Sequence, residues 1–409
     1  MGLPQELIDH TMDMLHDDLP ALKACSLACK AMFASARRLT HQKLCLPVRE
    51  NLHTLTRAEK SLYEWWNSFD AELIVLSYMT ERGLLRHTRQ VHISLASYFV
   101  QRRAPPPHLH LKSLDRVHTL SIEQYHATVW VKHCDTNFTH FYPTVTSLTL
   151  TRSVGPCRLL LQFVLRFPML QNLCLEGLIC VQTEQNLTVP TIPHRSPPFC
   201  GHLRLAGFHT VAGWPAASTH ELANGTNFRS IELEDFSGED AQHILKTCAH
   251  TLRSLTIVPL WTGTDPFPFL SSGAVGLSAD PPTTGGREFQ RLGFTENAVL
   301  RRLTLRIPFP DVLVSPPSPL LSALSTITSP AFCEFVLELL PQVNKLGSND
   351  WNDWKEVDHY FEERFSTHKD FRVIIRTGKF HDQETFQMHT KEIFPLLASR
   401  GFIHFETFR

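Results

Sequence analysis

The chain has 409 residues, 43% hydrophobic and 19% charged, with a formal net charge of −1; this is the composition of an ordinary globular protein, not of a disordered one. Its length allows two or three domains or a single elongated one, and its near-neutral charge sets up no global field for nucleic acid or an anionic membrane surface. No apolar run approaches the roughly 18 residues of a membrane span, and the ten cysteines are scattered, so no membrane partner and a reducing cytoplasmic or nuclear setting are expected. The first residues also carry no positive-then-apolar leader pattern. Glu6 stands where a myristoylation signal wants Ser or Thr.

The stretch "LPQELIDHTMDML" reads as a helix. At roughly 100° per residue, Leu3, Met14, Leu7, Thr11, Leu15, Ile8 and Met12 follow one another across half of its surface. Gln5, Asp9, Asp13, Glu6 and His10 fill the other half. A surface helix needs an apolar stripe of only roughly 100°, so part of this half-cylinder is spare. Asp18 is a good N-cap ahead of Pro20 in a first turn. Leu22, Cys25, Cys29, Met32, Phe33 and Ala36 then recur at three- and four-residue spacing, which predicts one or two further helices with a break near Ser26–Leu27. Three helices in about 40 residues are short of material for a self-sufficient core. Their cover must come from the rest of the chain or from a second protein.

Within this segment "LPxELI", the Leu of "DML", "DLPAL" and "CSLACK" resemble the F-box, the three-helix module by which substrate receptors dock on the Skp adaptor of cullin–RING ubiquitin ligases. The likeness is greatest to the F-boxes of large fungal families. It covers residues 1–45 and implies adaptor-facing roles for Leu3, Pro4, Leu7, Ile8, Leu15, Leu19, Leu22 and Leu27. Thr11 stands where the family pattern usually has Ile, and Met32, beside Phe33, where it usually has Trp. The resemblance implies a non-catalytic substrate receptor whose partners are the Skp adaptor, the cullin scaffold and a target protein. A repeat scaffold that does not engage the ubiquitin machinery is the alternative.

A helical linker over 46–85 follows, with Leu62, Trp65, Trp66, Phe69, Leu73 and Leu76 as its apolar positions. From there to residue 409 a leucine-rich-repeat-like domain is expected. The six-residue pattern apolar-x-x-apolar-x-apolar recurs as "VTSLTL" (145–150), "LQNLCL" (170–175), "FRSIEL" (228–233), "LRSLTI" (252–257) and "LRRLTL" (300–305), with weaker copies at 116–122 and 200–205. Its inner alternation sends two side chains to one face, as a strand must. The key position steps from Leu120 to Leu148, Leu173, Leu203, Ile231 and Leu255, close to the period of roughly 20–29 residues in leucine-rich repeats. Helical pieces lie between, as in "GPCRLLLQFVLRF" after Pro156 and "SGEDAQHILKTC" behind a Ser237–Asp240 capping-box pattern. The repeat's usual Asn is replaced by Ser153, Leu178, Phe236, Leu260 and Pro308. An irregular α/β solenoid is the expected architecture; an ordinary α/β domain whose parallel strands share the pattern is its rival.

Residues 259–291, rich in Pro and Gly, predict a flexible insertion, and "SPPSP" (315–319) a similar loop. Residues 351–409 predict an αβαβ end that caps the solenoid. A helix carries Trp351, Trp354, Val357, Phe361 and Phe365. The strand "FRVIIRTG", a helix ended by Gly401 and the strand "FIHFETF" follow. No phosphate loop, dinucleotide fingerprint, nucleophile elbow or His-Glu-x-x-His pair is present. Cys25 and Cys29 lack a second pair, and "HLH" (108–110) lacks ligands at metal spacing. No catalytic, cofactor-binding or metal-ligating residues are therefore assigned. Glu232, Glu234 and Asp235 read as a solvated or target-facing rim.

Overall fold

The structure is a computed structural model that describes residues 4–15, 18–46, 76–94, 114–124, 142–155, 157–177, 179–180, 201–206, 228–234, 238–258, 292–309, 318–341, 354–377 and 383–407. The expected insertion at 259–291, the apolar positions from Leu62 to Leu73, Trp351, the "HLH" stretch and Asp235 lie outside them. The chain forms two compact units, 1–195 with 209–212 and 196–208 with 213–409.

The first unit opens with three helices, α1 (Gln5–Met14), α2 (Leu19–Ala28) and α3 (Lys30–Thr40). Asp18 caps α2 as its sequence predicts, its carboxylate accepting from the Ala21 amide at 2.9 Å. The break before α3 falls at Cys29, in extended conformation (φ −158°, ψ 161°), two residues beyond the expected place. α1 and α2 each pack on α3. After α3 the chain turns through His41 and Gln42 straight into β1 (Lys43–Leu46). The sheet thus starts inside the residues assigned to the module, far ahead of residue 86.

In this unit β1 is followed by β2 (Gln90–Ser94), β3 (Thr119–Glu123), β4 (Ser147–Thr151) and β6 (Asn172–Glu176), each parallel to the one before. A small parallel pair, β5 (Val154–Gly155) with β7 (Ile179–Cys180), sits beside helix α4 (Cys157–Val164). The second unit repeats the plan with β8 (His202–Ala206), β9 (Ser230–Glu234), β10 (Ser254–Val258), β11 (Arg302–Phe309), β12 (Glu334–Pro341), β13 (Arg372–Thr377) and β14 (Ile403–Thr407), again parallel and in chain order. Between them run α5 (Gly238–Thr247), α6 (Ser318–Ser325), α7 (Trp354–Phe365), α8 (Gln383–Ile393) and α9 (Pro395–Ser399).

Every copy of the six-residue pattern is a strand, and the copies pair in the register of the pattern. Leu120, Leu148 and Leu173 face one another across β3, β4 and β6. Leu203, Ile231, Leu255 and Leu303 do so across β8 to β11. Their side chains are buried, as are the leading residues Val117, Val145, Leu170, Phe228, Leu252 and Leu300, each side chain worth about 1.5–3 kcal/mol of transfer energy. The intervening residues of β3, β4, β9 and β10 are half-exposed, so one face of these strands holds the core. A doubly wound domain reverses its strand order at a switch point; neither unit does. One residue ahead of the place of the repeat's usual Asn, β3 and β4 turn on Gln124 (φ 58°) and Arg152 (φ 52°), and β6 turns on Gly177 (φ 60°). The Gln124 and Arg152 amides donate at 2.7 Å to the carbonyls of Thr151 and Glu176 on the next strand. Backbone geometry recurs where side chains do not.

The αβαβ end is present, with two changes. Its second helix is split at Phe394, because Pro395 has no amide to continue α8 and opens α9 instead. Ser318 and Pro319, expected in a loop, begin α6, where proline is tolerated in a first turn. Val357, Phe361 and Phe365 on α7 are buried; Phe361 packs on Phe335 and Phe371, and Phe365 meets Phe332 and stacks on Phe371 at 4.5 Å.

Candidate functional site

The helical module divides its half-cylinder in two. Ile8 and Met12 turn inward and form a core with Leu22, Ala36 and Leu39, against which Leu15, Cys25 and Met32 pack. Two polar ties set this rotation. The Ser35 hydroxyl donates to the Asp9 carboxylate, and Arg38 donates to Asp13 at 3.1 Å. Asp9 and Asp13 lie beside the Ile8–Met12 edge on the wheel, so α1 can bind α3 through both only with that edge inward. The hydroxyl of Ser35, with the amide of Gln5, holds the Asp9 carboxyl below its usual range.

The opposite edge is left outside. Leu7 is 54% exposed and Met14, about 20° away on the wheel, is 75% exposed. Leu27, near the end of α2, is 87% exposed, and Phe33 on α3 is 44% exposed, with Arg37 over its ring at 5.4 Å. Of the residues assigned to the adaptor, Pro4, Leu7 and Leu27 are therefore on the surface, and Leu15 is half-buried. Ile8 and Leu22, at 7% and 0% exposure, lie in the module's own core. Leu3 lies outside the described residues; Leu19 opens α2, but its side chain is not among those described. Met14 and Phe33 were not assigned, although the angular position of Met14 beside Leu7 was readable. Thr11 is exposed and its hydroxyl donates to the Leu7 carbonyl at 2.8 Å. Met32 is half-buried and packs against the core.

The second candidate surface is the face of β8 to β14 turned away from the core leucines. There Glu232 and Glu234 do not stand free. Arg204 donates to Glu234 at 3.0 Å and lies 3.3 Å from Glu232. Arg306 reaches across β10 to Glu232 at 2.8 Å, a span of two strand spacings of about 4.8 Å each. Small side chains on β10, Thr256 and Val258, leave room for it. Glu338, its side chain 7% exposed, accepts from Arg306 at 2.8 Å and from Arg376 at 2.9 Å, one guanidinium on each carboxylate oxygen. Arg376 continues to Glu406 at 2.6 Å. A second row joins Arg302, Glu334 and Arg372 at 3.6 and 3.7 Å. Between the rows lie Thr304, Val336 and Ile374, buried on this outer face as well; long charged side chains on either side can cover such a row with their stems. For Arg306 and Arg376, burial pulls the pKa down, but the flanking carboxylates more than offset it and the net direction is up. The expected acidic rim is thus an internally neutralised lattice.

Among the described residues no group of three or more His, Cys, Asp or Glu side chains is arranged to hold a metal ion, and no helix is long and apolar enough to cross a membrane. No protein-family model matches the chain, and no curated protein matches it either.

Proposed function

We propose that this chain is the substrate-recognition subunit of a Skp–cullin–F-box ubiquitin ligase, with the three-helix module as its F-box and the parallel-strand units as a divergent leucine-rich-repeat-like receptor. The adaptor would cover Pro4, Leu7 and Leu27, together with Met14 and Phe33, and the outer strand face would hold a target protein. The chain itself would contribute no catalytic group. Its effect on rate would be positional, raising the effective concentration of a target lysine beside the charged ubiquitin-conjugating enzyme.

One observation carries this reading. A module that closes a core on Ile8, Met12, Leu22, Ala36 and Leu39 still presents Leu7 and Leu27, at positions where the F-box pattern is apolar, to the surface. Apolar side chains that serve no internal core mark an interaction face. The test is recovery of the Skp adaptor from cell extract by the wild-type chain and by the double variant Leu7→Asp/Leu27→Asp. The expected result is at least a tenfold loss of adaptor with an unchanged melting temperature. Equal recovery by both proteins would falsify the docking face. Thr11 and Met32 favour a second reading, a scaffold outside the ubiquitin machinery, because Thr11 presents a hydroxyl where the F-box pattern usually has Ile, and Met32, where it usually has Trp, packs partly against the module's own core. Failure of the wild-type chain to recover any adaptor would select it.

A further inference from the structure

Where the helical module meets the first strands, a cavity of about 320 Å³ is lined by Arg38, Gln42, Arg86, His87, Arg89 and Arg116. Its four arginines come from three separate segments of the chain. Arg38 is on α3, Arg86 in a short 3-10 turn (Leu85–His87), Arg89 just ahead of β2, and Arg116 in the approach to β3. Parallel pairing brings them together. Gln42 carbonyl accepts from the amides of Arg89 and Gln90, and Arg89 carbonyl from those of His118 and Thr119, so the strand starts lie side by side.

The positive charge there is poorly compensated. Arg38 pairs with Asp13 at 3.1 Å, but its buried Nε has no hydrogen-bond partner. Arg89 meets the Nε2 of His118 at 3.2 Å, and that ring's Nδ1 lies 3.3 Å from the Thr144 carbonyl. This arrangement suits a neutral imidazole that donates to the carbonyl and accepts from the guanidinium. Arg86 likewise donates to the Nε2 of His87 at 3.3 Å. Arg116 makes no hydrogen bond or ion pair among the described residues. Four guanidiniums thus face one carboxylate and two neutral rings. Burial first, and then the charges of Arg86, Arg38, Arg116 and Arg89, hold the His87 pKa below its usual value, which reports the same unneutralised potential.

The geometry points to a binding site for a compact oligophosphate anion, such as a di- or triphosphate group, held between the helical module and the starts of β1 to β3. Guanidinium forks match phosphate oxygens in pairs, and the cavity lies at the small end of the range for small-molecule sites. Four converging arginines supply more charge than a single phosphoryl group needs. This site is independent of the ligase reading, and its test uses the purified chain with no adaptor present.

The test is calorimetric titration of the full chain with sodium pyrophosphate and with tripolyphosphate, and with sulfate at matched ionic strength. Micromolar binding of the phosphates is expected, at least tenfold tighter than sulfate, and weakening as salt rises from about 50 to about 200 mM. The double variant Arg86→Ala/Arg116→Ala, at two exposed positions, should bind at least tenfold more weakly while melting at the wild-type temperature. Arg253→Ala, at an exposed position ahead of β10 in the other unit, should bind as wild type does. No binding up to about 10 mM, sulfate equal to pyrophosphate, or undiminished binding by the double variant overturns the site. Tighter binding of a singly phosphorylated threonine peptide than of pyrophosphate overturns its assignment to a free oligophosphate.

Discussion

The helical module and the β8–β14 unit handle surplus surface in opposite ways. The module leaves Leu7, Met14, Leu27 and Phe33 exposed after its core is complete. The strand unit buries its aromatics against one another and ties Glu232, Glu338 and Glu406 to arginines on neighbouring strands. A segment short of residues cannot cover all the apolar side chains it carries, whereas stacked strands give each side chain a neighbour on either side. The difference separates a surface with apolar side chains left uncovered from one whose charges are paired among themselves.

Substitutions can break or sharpen this contrast. The largest effect is expected inside the strand unit, where Phe335 is 1% exposed and lies 4.8 Å from Phe361. Phe335→Ala should lower unfolding free energy by about 3–5 kcal/mol in urea denaturation; a loss below about 1 kcal/mol would show that the aromatic cluster is loosely packed. Next comes Glu338→Ala, which removes the carboxylate shared by Arg306 and Arg376 and leaves each with one partner, Glu232 or Glu406. A loss of about 2 kcal/mol is expected, from two charge-assisted hydrogen bonds lost at half-exposed guanidiniums. A near-zero loss would make the charge rows mere surface decoration and dissolve the contrast.

A smaller effect is expected at Asp358 on α7, which is 1% exposed and accepts the amides of Leu396 and Leu397 at 2.9 and 3.0 Å, capping α9 from another helix. Asp358→Ala should cost about 1–2 kcal/mol. Burial pushes this carboxyl above its usual 3.8, more strongly than the two amide hydrogen bonds pull it down. A raised folded-state pKa adds stability that is complete below 3.8 and is lost as pH rises through the folded value. Stability measured against pH should therefore lose part of its fall on that upward side in Asp358→Asn. Asp9 has the opposite sign: its depressed pKa adds stability above the unfolded value and loses it as pH falls through the folded one. The smallest effect belongs to the module's exposed edge. Leu27→Asp should change unfolding free energy by no more than about 0.5 kcal/mol, and a larger loss would mean that Leu27 is covered by this same chain.

Much of the fold could be read before any coordinates. The pattern Leu-x-x-Leu-x-Leu marked seven strands, and the spacing of Val357, Phe361 and Phe365 marked α7. Besides the two-residue β5 and β7, three strands escaped notice, each for a local reason. In β1 and β2 the leading position is held by His41 and Thr88, polar residues that are nonetheless buried, because the Thr88 hydroxyl donates to the His41 carbonyl at 3.1 Å. In β12 Phe332 and Phe335 take the places of leucines. The exposed edge of α1 was legible only as part of an apolar half-cylinder; which side of that half-cylinder turns inward was not.

Periodicity is a property of neighbours along the chain, so one sequence carries it whole: α/β units, strand positions and an apolar half on α1 all follow from spacing. The rotation of α1 depends on Ser35 reaching Asp9 across 26 residues, and the neutralising of Glu232 on Arg306 arriving from 74 residues away. The arginine-lined cavity depends in the same way on strand starts brought together by pairing. Such choices are settled by packing and charge between distant segments, because the energy of each contact exists only once its partner is in place.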